Sequence, residues 1–400
     1  MGPMSLYFDV RDILRAPRLA LSGKKIWIML SANIPGYAAY WVFSYLSLRL
    51  AGIPLGEAWH RYGLYPCLVG NEANWIAYAL WIIGLLVWII ALVLGSTAVA
   101  RVTYKQLKGD EFYSSSDAWK FVRKHWHAPV FTHVSIVVIA IFFVVMAALF
   151  ALIGKIPYLG ELFFGIPYLL WLFGSVFVIY TGVVLTISFF FTPAIVATLE
   201  EDTMGAVFQN YSITWSQPWR IALYLPLLGC LIYAGSVVFG LFLTTGYDLI
   251  NAVFGHKWLM GSKLAHIVGW ATDTVLGDSS PVSLLQGFHP GSHWHFGLPD
   301  AAATLSPLEY VGGFFVAVSL FLVGSTLISY ALSIEVVGET IALIIFKKKT
   351  DEEDLLERKD EEELEAEEQE QTEWPEEDKA EKASEGENGE ESEGKEEGEK

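Results

Sequence analysis

Two carboxylates four residues apart, Glu335 and Glu339, are the side chains best placed in this chain to do chemistry. At i and i+4 they share one helix face. They follow a long apolar run, 311–332, and an acid in a membrane is costly enough to mark a proton or cation pathway. Depth decides between that role and a structural one. Ser306-Pro307-Leu308-Glu309 reads as a capping box with Pro at the first helical position, so the last helix starts near 307. From Val311, about 20 residues at 1.5 Å each cross the hydrocarbon and end near residue 331. Glu335 then falls at the inner headgroups, and Glu339 in the cytoplasm or along the interface. Arg101, Arg220 and Lys347 are the cations available to pair with them. The stretch Ile341–Phe346 either lies flat or packs beneath the bundle.

A second candidate is the segment Phe288-His289-Pro290-Gly291-Ser292-His293-Trp294-His295. His289, His293 and His295 offer three imidazoles to Zn²⁺ or Cu²⁺, with Asp278 or Asp300 as a fourth ligand. Pro290-Gly291 argues for a turn, not a helix that would align the ligands. No H-E-x-x-H accompanies them, so a zinc protease would lack its general base, and no P-loop, GxGxxG, GxSxG or kinase set occurs. No catalytic residue and no cofactor is expected.

Six apolar runs must position these residues: Ile26–Leu48, Trp75–Ala98, Thr132–Ile153, Ile166–Thr192, Trp219–Thr244 and Val311–Leu332. Each reaches the ~20 residues a bilayer-crossing helix needs, and isolated spans must be helical because unsatisfied backbone in lipid costs several kcal/mol per group. The predicted fold is therefore an all-α bundle of six transmembrane helices. Lys and Arg cluster in 1–25, in 101–124 and at Lys347-Lys348-Lys349, which places both termini in the cytoplasm of a cell (inner) membrane. Pro35-Gly36, Pro193 and Pro226 are potential kinks within spans.

Connections on the basic side read as surface helices. Over 117–127, Trp119, Val122 and Trp126 take one face and Lys120, Arg123, Lys124 and His127 the other, the pattern of a helix lying among headgroups. Over 203–215, Met204, Phe208, Tyr211 and Trp215 make a similar stripe, with Asp202 as N-cap. A third such helix is expected over 5–16, ended by Pro17. Residues 246–310 form an extracytoplasmic cap, with a helical piece after Ser262 carrying Leu264, Ile267, Ala271 and Val275.

The formal net charge of −18 belongs to the end of the chain. Residues 351–400 hold 26 acids and 6 bases, leaving 18 acids and 20 bases in 1–350. The mean hydropathy is +0.41 even with that tail included, too apolar for an ordinary soluble domain. The tail, 350–400, lacks the apolar residues to offset ordering entropy and is predicted to be a disordered cytoplasmic arm able to dock a basic protein. The body has no basic stripe that would track nucleic acid. Residues 4–25 are too mixed and charged for a cleavable signal. Cys67 and Cys230 fall at different depths, which disfavours a disulfide.

The run from Thr192-Pro193-Ala194 through Glu201-Asp202, with Gly205-Ala206, Ser212, Trp215 and Trp219-Arg220, resembles the membrane domain that precedes some bacterial glycerophosphodiester phosphodiesterases. The ending Glu339-Thr340 to Lys349, followed by Asp351-Glu352-Glu353-Asp354-Leu355, is similar to that of uncharacterised six-span membrane proteins. The resemblance covers roughly 90–355 and implies an architecture. No phosphodiesterase barrel follows, so that activity is not implied. The expectation is a non-enzymatic scaffold or accessory subunit for membrane assembly or transport. The alternatives are a small-solute or ion carrier using Glu335 and Glu339, or an extracytoplasmic metal site at the three histidines.

Overall fold

The computed structural model describes residues 4–276 and 305–364. Within them the chain forms thirteen α-helices up to Thr350, a further helical turn at 361–364, and no strand. They are α1 (Val10–Ile13), α2 (Ala16–Ala20), α3 (Gly23–Leu50), α4 (Leu55–Tyr62), α5 (Trp75–Lys108), α6 (Ser115–His125) and α7 (His127–Ile153). After them come α8 (Leu159–Gly165), α9 (Tyr168–Leu199), α10 (Thr203–Ser216), α11 (Pro218–Phe254), α12 (Ser262–Leu276) and α13 (Pro307–Thr350). The all-α bundle expected from the sequence is present. Five helices, α5, α7, α9, α11 and α13, are long and apolar enough to cross a membrane. The expected sixth, α3, is 28 residues long and falls outside those five. Its Asn33, Ser44 and Ser47 are buried against protein, and Asn33 accepts a 2.9 Å hydrogen bond from the Trp88 indole of α5.

α3 and α5 approach closely because small residues meet. A Cβ added to Gly84 would lie 2.6 Å from Phe43 Cβ, and one on Gly95 would lie 2.6 Å from Ala32 Cβ. At the far end of α3, Tyr37, Tyr40 and Tyr45 donate to the carbonyls of Leu64, Pro66 and Gly63 at 2.6, 2.8 and 2.6 Å. Tyr65 donates from that same loop to Val275 of α12. Ala271 and Val275 pack on Ala317 of α13, so the predicted stripe of α12 is used. Residues 246–254, the first part of the expected cap, instead continue α11 without a break.

The packed core sits at the opposite end. It joins α1, α2 and α6 to the first turns of α3, the last turns of α5 and α9, the first turns of α11 and the second half of α13. Two expectations change here. The predicted 5–16 surface helix is two short helices, with Pro17 in the first turn of α2, where its missing N–H costs nothing. Ile13, Ala16 and Ala20 are buried, and Tyr330 donates to the Pro17 carbonyl at 3.1 Å, so this segment belongs to the core. Likewise Ile341–Phe346 neither lies flat nor starts a new element. α13 has 44 residues, about 66 Å at 1.5 Å per residue, roughly twice the hydrocarbon thickness. Its last turns run on into the core, where Phe346 packs on Phe191 and Tyr224.

The chain divides into two compact units, Met1–Leu356 and Glu357–Lys400. Residues 351–356 go with the body: Leu355 is fully buried, its carbonyl accepts from Tyr104, and Asp351 and Asp354 pair with Lys347 and Lys348 at 2.7 and 3.2 Å. In the second unit residues 361–364 are helical. Residues 365–400 of the expected disordered tail lie outside the described residues.

Candidate functional site

α13 brings Glu335 and Glu339 to one face, as their spacing predicts, but places them deeper than the sequence suggests. From Ser333 to Lys347 every residue except Glu335 is buried, and Glu335 is partly so. A helix buried on all sides is hydrophobic all round, and this stretch is so apart from Ser333, Glu335, Glu339, Thr340 and Lys347. Ser333 and Thr340 satisfy their hydroxyls on carbonyls one turn back, Ser329 and Val336, both at 2.7 Å. Glu339 has no such recourse. Its side chain is 3% exposed, and its Oε1 is buried with no hydrogen-bond partner. Gly338 lets α11 approach: a Cβ there would sit 2.3 Å from Leu228 Cδ1.

The three cations expected to pair with these acids have other partners. Arg101, fully buried on α5, donates from Nη1 to the Ala197 carbonyl at 3.0 Å and lies 2.9 Å from Glu200 through Nη2. Its guanidinium stands 4.3 Å from the Phe121 ring centre of α6. One side chain thus pins α5, α6 and α9 together, and Glu200 takes a left-handed conformation (φ 58°) as it closes α9. Arg220 donates to Gln217 Oε1, and Lys347 pairs with Asp351 at 2.7 Å. Among the described residues, neither Glu335 nor Glu339 makes an ion pair.

Two further ionisable groups in this core were read from sequence only as topology charges or not at all. Lys25 is fully buried and donates to the Leu19 carbonyl at 3.0 Å. Asp12 is fully buried with Arg15 at 3.5 Å. Buried ionisable groups need partners or lose their charge, and hydropathy patterning carries no signal for which loop-end lysine turns inward.

The interfacial residues divide. α6 starts at an Ser114 N-cap, and hydrogen bonds from Lys120 and then Ser114 hold the Asp117 carboxyl below its ordinary range. Lys120, Arg123 and Lys124 are exposed, as expected. The apolar face is not left for headgroups: Val122 and Phe121 are buried in the core and Trp119 packs against it, while Trp126 is half exposed at the junction with α7. α10 forms where predicted, capped by Asp202 through Gly205 N at 2.7 Å, and Met204, Phe208 and Trp215 are exposed. Tyr211, expected in the same stripe, instead packs inward on α9, where its hydroxyl donates to Thr181 Oγ1 at 2.9 Å and its ring stacks on Phe177. Asn210, on its inner face, donates to Thr192 Oγ1 at 3.0 Å.

His289, His293 and His295, with Asp278 and Asp300, lie outside the described residues. Among the described residues no three His, Cys, Asp or Glu side chains are gathered for a metal. Cys67 and Cys230 are both free thiols. The arrangement around α13 can therefore do one simple thing chemically: a carboxyl with an unsatisfied oxygen, shielded from water, takes up a proton or is neutralised by a small cation. No protein-family model, no curated protein and no solved structure matches this chain.

Proposed function

We propose that this membrane protein is a non-enzymatic scaffold or accessory subunit for membrane assembly or transport. In this reading it sits in the cell membrane with both termini cytoplasmic, binds no nucleic acid, and uses the acidic tail to dock a basic cytoplasmic protein. The observation that supports it is the placement of the core. Short helices and the inner ends of the long ones lock into one packed body at the end from which the tail leaves, while much of α7 and α9 remains apolar and exposed to lipid or neighbouring subunits.

The test is affinity purification from native membranes with and without residues 357–400. The cut belongs after Leu356 because Leu355 and Leu356 are part of the core. Recovery of a basic partner with the full chain and its loss with the truncated one is the expected result. An identical set of partners in both preparations would remove the tail from the account.

The second reading is an ion-coupled carrier, and the unsatisfied Oε1 of Glu339 favours it. The elements packed against this half of α13 bring Asp12, Lys25, Arg101, Glu200 and Arg220 into the same body. If Glu335 and Glu339 carry the ion, Glu335→Gln with Glu339→Gln abolishes pH-driven flux in proteoliposomes while the protein stays folded. Flux equal to wild type would dismiss both acids.

A further inference from the structure

At the end of α7 and α9 remote from the packed core, the two helices and α8 border an open groove of about 1120 Å³. Its lining is almost wholly apolar, with Phe142, Phe150, Phe163 and Trp171 prominent. That volume is at or above the upper range of ordinary small-molecule sites, ~1,000 Å³, and the helices that frame it are among those fit to cross a membrane. Two charges interrupt the apolar lining, Lys155 and Glu161, both exposed in the turn region between α7 and α9. Among the described residues neither makes an ion pair. Trp171 adds an indole N–H that is buried with no acceptor.

We propose that this groove binds one zwitterionic phospholipid of the surrounding bilayer, with its acyl chains along the aromatic wall, its phosphate at Lys155 and its ammonium at Glu161. The kinds of group in the lining select the ligand. A phospholipid combines hydrocarbon chains with a phosphate and an amine. The groove offers an apolar wall with one cation and one anion. A fatty acid or an anionic lipid would leave Glu161 facing a negative headgroup or nothing, so the pair of opposite charges favours a headgroup that carries both.

Gly174 supplies the decisive variant. It lines the groove, and a Cβ added there meets nothing within 4 Å, so a larger side chain starts in open space and takes up room an acyl chain would use. The full-length protein, stripped of lipid in mild detergent, is titrated with phosphatidylethanolamine and in parallel with phosphatidylglycerol, and bound lipid is counted by native mass spectrometry. Wild type retains one phosphatidylethanolamine about fivefold more tightly than phosphatidylglycerol, the scale of one charge near a headgroup. Gly174→Leu loses the bound lipid with its helical circular dichroism unchanged. Glu161→Gln, at an exposed side chain that the fold does not use, keeps the lipid but loses the preference. Lipid retained undiminished by Gly174→Leu would overturn the site. Equal retention of the two lipids by wild type and Glu161→Gln would overturn the zwitterionic assignment.

Discussion

Replacing Arg101 by Ala should destabilise the protein by about 3–5 kcal/mol, the usual consequence of removing one partner from a buried ion pair. Three losses coincide at this position. The Glu200 carboxylate keeps its place with only 12% of its side chain exposed and no longer has this cation 2.9 Å away. The Ala197 carbonyl, in the last turn of α9 where carbonyls lack intrahelical donors, loses its hydrogen bond. The Phe121 ring loses the guanidinium above it, and with it one of the contacts between α6 and α5. Arg101→Lys should recover part of the loss, since it keeps the charge but cannot reach a carbonyl and a carboxylate with a planar fork. Reversible unfolding in denaturing detergent, followed by circular dichroism, gives the ordering wild type, Lys, Ala. A loss below about 1 kcal/mol for Ala would place this pair with ordinary surface salt bridges and remove it as the pin of three helices.

The second large effect lies at the α3–α5 seam. Leu at Gly84 and at Gly95 should each cost about 1–3 kcal/mol, the range for overpacking a filled site. In both cases the new Cβ meets another Cβ at 2.6 Å, on Phe43 and on Ala32, and a Cβ cannot swing away as a side-chain tip can. The helices must separate. The two glycines stand eleven residues apart, roughly 16 Å along α5, so the costs should add. α3 buries Asn33 against α5, and opening the seam exposes Asn33 and strips it of the Trp88 indole. The double variant should therefore show α3 cleaved by added protease under conditions where wild type is intact. Unchanged proteolysis together with an unchanged melting temperature would mean the seam has slack that the side-chain positions do not reveal.

Much of the architecture is legible in single segments. Apolar runs of membrane length become long helices because a backbone in hydrocarbon has no other way to satisfy its hydrogen bonds. The capping box at Ser306 and Glu309 forms as its spacing requires, with Ser306 N donating to Glu309 at 2.7 Å and Glu309 N to Ser306 at 3.4 Å. Asp202 caps α10 for the same local reason. The stripe of α6 shows where such reading stops. Trp119, Val122 and Trp126 make a face that suits headgroups or a protein neighbour equally well, and only the presence of α5 beside it decides that Val122 is buried.

The candidate site divides along the same line. That Glu335 and Glu339 share a face follows from helix geometry and needs no structure. Their surroundings do, because depth counted from the start of a helix assumes that the helix ends where the bilayer does. α13 instead runs on into a protein core built from α1, α2 and the ends of α3, α5, α9 and α11. Lysines and arginines carry the same ambiguity: a basic residue at the end of a span reads as a topology signal whether it meets water, as Arg123 does, or is fully buried, as Arg101 and Lys25 are. Composition and periodicity by themselves determined that this chain is an all-α membrane protein with an acidic end, because those properties rest on each segment's own solvent preference. Which charges face inward, where the body ends at Leu356, and that Glu339 is left with a buried, unsatisfied oxygen were decided only by tertiary packing, because burial depends on which segments meet and no segment specifies its neighbours alone.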